Sequence, residues 1–449
     1  MSSGTPEGDV NLTSRRSAWQ LAHLDEATAD LLAKDAEVFL HQSLSTPCLN
    51  GLAKALGTEL EDLAGRRYLD FHGNSVHQVG YGHPLVVSAI KEALDTLPFS
   101  PRRYTNVYAV KLAQRLVELA PREEGRARLG KVLFAPGGAE AMGIAIKLVR
   151  MVTGRHKTIS MWDSFHGASL DTISIGGESF FRSGIGPLMS GCEHVPPPDP
   201  DRCPLGCGGE CALRCADYVE YVLEKEGDVA AVIAEPIRCT TAAMPPPGYW
   251  KKIRAACDRH GALLVFDEIP ICLGRTGDLF ASQTVGVIPD ILVFGKGLGG
   301  GIFPMAAVLA RSDFDIAGHV ALGHYTHEKS PVGCAAGLAT LDVIEREGLV
   351  ARSREKGAWF VAELKKLRPK HACIKQVRGV GMQMALELTS SDLAEALMYA
   401  CLDRGMSFKV SSGTVITLTP PLTITDAELV RSIEIIDASL TEISPETRQ

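Results

Sequence analysis

The sequence predicts an α/β fold, with a large domain on a mostly parallel sheet and a smaller α+β domain. AAVIAEP (230–236), ALLVFDE (262–268) and DILVFGK (290–296) are short apolar runs that stop at a polar residue. Such runs suit parallel strands buried on both faces. From about residue 131 these runs alternate with segments of helical spacing, which implies right-handed crossovers within one sheet. The final ~110 residues read instead as helix, short strand, helix, strand and helix, a separate unit.

Taken in order, the first ~20 residues look loose. LDEATADLLAKDAEVFL (24–40) has helical spacing, and RRYLDFHGNSVHQVGYGHP (66–84) reads as strand, glycine turn and strand. HPLVVSAIKEALDTL opens a helix. KVLFA (131–135) is a strand feeding a helix that begins near Ala139. In the last unit a helix starts near 331, GMQMALEL holds a strand, and TVITLT holds another before the closing helix. The expected division is an N-terminal segment, 1–85, contributing to the small domain, a large domain, 86–335, and a C-terminal small domain, 336–449.

Composition narrows the function. Of the 449 residues 45% are hydrophobic and 22% charged, as in an ordinary globular protein. A net charge of −7 argues against a general nucleic-acid binder. No apolar run reaches the ~18–20 residues of a membrane span. The polar start, MSSGTPEGDVNLTSRR, lacks the apolar core of a secretory signal. Twelve cysteines in so long a chain do not form a dense disulfide framework, so reduced thiols and a cytoplasmic location are expected.

The chemistry starts at Lys296 in FGKGLGGG. An amine between glycines at a strand end is accessible, and it can form a Schiff base with an aldehyde cofactor; a solvated loop lysine is the alternative. Asp267 ends the strand ALLVFD, where a carboxylate can keep a pyridine nitrogen protonated; it can equally cap a helix. FAPGGAEAMGIAIKLVR joins a glycine turn to a helix, so free N–H groups and the positive end of a helix dipole face outward for a phosphate. SFHGASL places Phe165 and His166 at a turn, where the phenyl ring can stack on a flat cofactor or pack in the core. In α/β sheets ligands sit beyond the carboxyl ends of the strands, which is where Glu235, Asp267 and Lys296 fall.

With these segments together, the sequence resembles the class III aminotransferase family, enzymes of PLP fold type I that use pyridoxal 5′-phosphate (PLP). The resemblance spans roughly residues 35–440 and is most specific in LLVFDEIPICLGRTGDLFASQTVGVIPDILVFGKGLGGGIFPMAAVLA. It implies a seven-stranded sheet, with Lys296 as the Schiff-base lysine and Asp267 as partner of the pyridine nitrogen. Gly138 and Ala139 would offer amides to the phosphate, Phe165 would stack on the ring, and His166 and Glu235 would lie near it. Thr326 would reach the phosphate of the neighbouring subunit, which implies a homodimer with shared sites.

The chain departs from that family in one coherent way. Members acting on α-amino acids carry a carboxylate-binding arginine just before a PPL motif; here the position is Thr417 in VITLTPPLTI. Many carry a glutamate after the EP stretch that parks this arginine; AEPIRCTTAAMPPPGYW has none and looks one residue short. Pro270 replaces the usual glutamine after the aspartate–glutamate pair. The family also contains lyases acting on small amino-phospho compounds, and RRYTN and GNSVHQVGYGHP resemble their segments. The expected reaction is therefore ammonia release from 1-hydroxy-2-aminoethylphosphonate to give phosphonoacetaldehyde. Arg103 and Arg238 are the candidate phosphonate-binding residues, since guanidinium forks suit oxyanions. An ω-aminotransferase acting on an amine without an α-carboxylate is the alternative.

Cys203, Cys207, Cys211 and Cys215 recur every four residues in CPLGCGGECALRC. Four thiols can bind zinc, but the usual spacing is two close pairs across a longer loop, so free thiols and no metal are expected.

Overall fold

The computed structural model describes residues 12–43, 45–200, 203–207 and 211–443. Its central sheet has seven strands in the order Leu129–Ala135, Ala306–Arg311, Ile291–Phe294, Leu263–Asp267, Val229–Ala234, Lys157–Met161 and Cys192–Val195. Ala306–Arg311 runs antiparallel to both neighbours, and the pairings from Ile291–Phe294 to Cys192–Val195 are parallel. The three apolar runs are the central strands, and every residue in them is buried.

Burial on two faces follows from alternation along each strand. Ile233 and Val265 pack against Ala141, Ile144 and Ala145 of helix Gly138–Thr153. Val232, Leu264 and Phe266 point the other way, toward Val219 of helix Arg214–Glu226 and Trp250 and Ile253 of helix Tyr249–His260. With helices clamping both faces, the strands open only at their ends.

Two four-stranded sheets complete the structure. One holds Leu52–Leu56, Glu59–Asp62 and Arg67–Asp70, and its fourth strand, Met406–Ser407, comes from far along the chain and runs parallel to Arg67–Asp70. The other is antiparallel: Ile374–Val380, Gln383–Leu388, Val415–Leu418 and Lys409–Ser411. Helices Ser391–Asp403 and Asp426–Ile443 occupy the positions that periodicity predicts.

Two expectations need correction. The first ~20 residues are not loose throughout: Ser14–His23 is a helix, capped by the Thr13 side chain accepting from Arg16 N. Residues 1–11 lie outside the described residues. The 66–84 segment supplies only its first strand, Arg67–Asp70. The buried Asp70 carboxylate then accepts from the backbone N–H groups of His72 and Gly73 and from the Tyr81 hydroxyl. It folds the chain into turns, with Asn74 and Ser75 at positive φ, and only an isolated bridge from Gly57 to Tyr81 remains. The hairpin Leu52–Asp62 and the helices Val107–Leu119 and Leu349–Leu367 were not anticipated.

Candidate active site

Lys296 is the one exposed residue in the otherwise buried stretch 291–300. Its φ is +46°, in the left-handed region that costs a residue with a Cβ roughly 1–2 kcal/mol. A Cβ on the next residue, Gly297, would stand 1.9 Å from Gln78 Oε1, so a larger residue here would have to displace the buried Gln78 side chain. The Lys296 amine has no hydrogen bond or ion pair among the described residues. It opens into a cleft of about 630 Å³, within the usual ~300–1,000 Å³ of small-molecule sites.

Three short segments lock together beside that lysine. Asp267, 2% exposed at the end of its strand, accepts from Ile269 N at 3.0 Å through Oδ1 and from His166 Nδ1 at 2.8 Å through Oδ2. The second ring nitrogen of His166, Nε2, is buried without a partner. A Cβ at Gly138 would meet Ile269 Cδ1 at 2.9 Å, and one at Gly167 would meet Ala139 Cβ at 2.9 Å. The start of helix Gly138–Thr153 therefore lies against both the Asp267 and the His166 turns. No side chain caps it, so its first N–H groups have no intrahelical acceptor.

Phe165 lines the cleft and keeps about a third of its surface exposed. Glu235, which follows strand Val229–Ala234, accepts from Arg238 Nη1 and from Cys239 N. Burial pushes its carboxyl up, but the Arg238 guanidinium and His166 outweigh this and hold it below its usual value. Arg238 also bonds Glu178 Oε2 at 3.1 Å, so two carboxylates share its charge. Thr417 lines the same cleft, with its hydroxyl on the Thr240 carbonyl and 2.9 Å from Ser411 Oγ.

Arg103 and Thr326 are exposed and do not line this cleft. They occupy adjoining segments, since Phe99 packs edge-on against His327 and Asn106 donates to the Lys329 carbonyl. All four cysteines of the cluster are free, and among the described residues no group of three or more His, Cys, Asp and Glu could hold a metal. No described helix is long and apolar enough to cross a membrane.

Sequence reasoning missed His72 and Lys409, which both line the cleft. Burial pushes the His72 imidazole down to about 4; Asp70 opposes this, and the charges of Lys409 and Lys296 reinforce it. Neither residue stands in a segment singled out for chemistry, and only the folding of distant segments brings them in.

A parallel sheet with a lysine, a buried carboxylate and an uncapped helix start at its carboxyl end defines a PLP enzyme of fold type I. Residues 42–440 match the aminotransferase class-III family, and the chain belongs to it. It is 45% identical to the (R)-1-hydroxy-2-aminoethylphosphonate ammonia-lyase of Vibrio splendidus, covering 97% of this chain and 95% of that protein. It is 33% identical to an acetylornithine aminotransferase of Caldanaerobacter subterraneus, covering 87% and 95%. Among solved structures, an (S)-enantioselective omega-transaminase from Thermomicrobium roseum superposes with a TM-score of 0.85 at 30% identity, covering 94% of this chain and 99% of that one.

Membership brings PLP as the cofactor, and the chain's own groups fit it. The uncapped helix start suits a phosphate, the buried carboxylate a protonated ring nitrogen, and the uncommitted lysine an aldehyde.

Proposed function

We propose that this protein is a PLP-dependent ammonia-lyase that converts (R)-1-hydroxy-2-aminoethylphosphonate to phosphonoacetaldehyde and ammonia. The observation that carries the reading is Thr417. Where α-amino-acid enzymes of the family place an arginine, a neutral hydroxyl is tied to the Thr240 carbonyl. A keto acid thus meets no guanidinium there, and an unpaired buried carboxylate is costly. The relative at 45% identity is named for this reaction.

Bound here, PLP supplies an aldehyde for the substrate amine and a ring that stores the electron pair left when the adjacent C–H bond breaks. Lys296 Nζ takes that proton, since its amine is otherwise uncommitted. Asp267, oriented by its bonds to His166 and Ile269, would be the carboxylate that partners the ring nitrogen. The amides of Gly138 and Ala139 would hold the cofactor phosphate at the uncapped helix start, with Phe165 and Glu235 available beside the ring. The hydroxyl on the phosphonate-bearing carbon leaves as water, and the water regained at the nitrogen-bearing carbon releases ammonia. Atoms balance without a second substrate.

The active unit in this reading is a homodimer. Arg103, Tyr104 and Thr326 are exposed on adjoining segments and do not line the cleft of their own chain. From there they would serve the neighbouring subunit's site, Arg103 toward the phosphonate and Thr326 toward the cofactor phosphate. Arg238 is the second phosphonate candidate, its charge shared with Glu235 and Glu178.

An end-point ammonia assay on purified holoenzyme tests the reaction. Release of ammonia and phosphonoacetaldehyde, with no stimulation by pyruvate or 2-oxoglutarate, is the expected result. Ammonia or aldehyde formation that requires a keto acid, with alanine or glutamate accumulating, would overturn it in favour of an ω-aminotransferase.

A further inference from the structure

We infer that Lys409 is the phosphonate-binding cation that this chain supplies to its own cleft, taking the place of the arginine missing at Thr417. This deepens the substrate assignment above and rests on it.

Strands Lys409–Ser411 and Val415–Leu418 are antiparallel, and in their register Lys409 stands opposite Thr417. Directly opposed residues have Cβ atoms about 4.5–5.5 Å apart, so the positive charge has moved one strand over rather than disappeared. Lys409 lines the same cleft as Lys296. His72 lines the cleft with both lysines, and both ammonium charges bear on it.

Lys296 is reserved for the cofactor, and both arginines of the cleft are engaged. Arg238 holds Glu235 and Glu178, and Arg16 donates to the Pro47 carbonyl. Lys409 has no carboxylate or hydrogen-bond acceptor among the described residues. The same cleft is also lined by Ser407, Ser411, Asn74 and Ser75, which can donate to further oxygens.

The exchange also changes how an anion is held. An arginine fork at 417 would match a carboxylate or a phosphonate in two parallel bonds, whereas an ammonium is a compact charge with three rotatable donors and no planar preference. With a hydroxyl at 417 and an ammonium at 409, the wall presents a point charge to the substrate anion and no fork at the position of the family's carboxylate arginine.

The test compares Lys409→Met and Lys409→Arg with wild-type holoenzyme, using two readouts. In steady-state turnover of the aminophosphonate, Lys409→Met should raise KM on the order of 10- to 100-fold while kcat falls much less, and Lys409→Arg should recover most of the loss. In calorimetric titration with methylphosphonate, which cannot react, Lys409→Met should weaken binding by about the same factor. An unchanged KM together with unchanged methylphosphonate binding would overturn the role of Lys409 and leave the lyase reading standing. If the wild type proves to need a keto acid, the lyase reading falls, and the titration alone decides Lys409: weakened binding supports it and unchanged binding overturns it.

Discussion

His166 Nδ1 and Asp267 Oδ2 lie 2.8 Å apart although 101 residues separate them in the chain, and both side chains are shut away from water. The bond fixes which ring nitrogen donates and leaves Asp267 in one orientation. Replacing Asp267 by Asn removes the charge that keeps a pyridine nitrogen protonated. Turnover should fall at least about a hundredfold while part of the cofactor stays bound. His166→Ala should cost less, about tenfold, because the carboxylate remains but loses one donor. Stopped assays on cofactor-saturated variants check the order, and near-normal turnover in Asp267→Asn would misplace the pyridine partner.

Lys296→Ala should abolish turnover, since one amine both holds the cofactor and moves the proton. The visible band of the purified holoenzyme should be absent in the variant and should be lost on borohydride treatment of the wild type. A well-folded Lys296→Ala protein that still releases ammonia at a substantial rate would remove the lysine from the centre of the mechanism.

If Arg103 serves the neighbouring subunit, two inactive variants should rescue each other. Lys296→Ala and Arg103→Ala, unfolded together and refolded, form mixed dimers in half of the population. Both defects then fall in one site of each mixed dimer and the other site is intact, so about a quarter of wild-type activity should return. With both residues serving the site of their own chain, mixing would restore nothing.

His77 is fully buried, and burial, helped by the charge of Arg275, pushes its imidazole down to about 3. The unfolded chain takes up a proton near the ordinary imidazole value of 6.5, while the folded protein does so only near 3. Stability from this group is therefore complete above about 6.5 and is lost as pH falls toward 3. Glu268 acts in the opposite direction, because burial pushes its carboxyl up to about 7. The clean measurement is a difference: between pH 7.5 and pH 5, urea midpoints of His77→Gln should drop less than those of the wild type. An equal drop would show that His77 does not titrate in that way.

Much of the fold was legible because its signals are local. The strand runs up to Ala234, Phe266 and Phe294 are uniformly apolar, as a strand covered by helices on both faces is expected to be. The 66–84 segment was misread because its second half carries strand-like residues. The outcome there is set by one side chain, Asp70, whose carboxylate collects two backbone amides and a tyrosine hydroxyl. Propensity does not register such a side-chain competitor.

The sequence by itself determined the sheet, the family and the candidate residues around PLP, since Lys296, Asp267 and the Gly138 turn each sit in a contiguous motif of recognisable chemistry. It also exposed the empty arginine position at Thr417. Only the tertiary structure decided what surrounds that position: Lys409 stands opposite Thr417 in the cross-strand register, and Arg238 is held by Glu235 and Glu178. Register is fixed by which distant segments bury their apolar faces together, so a charge moved to the neighbouring strand leaves no trace in the linear spacing of residues.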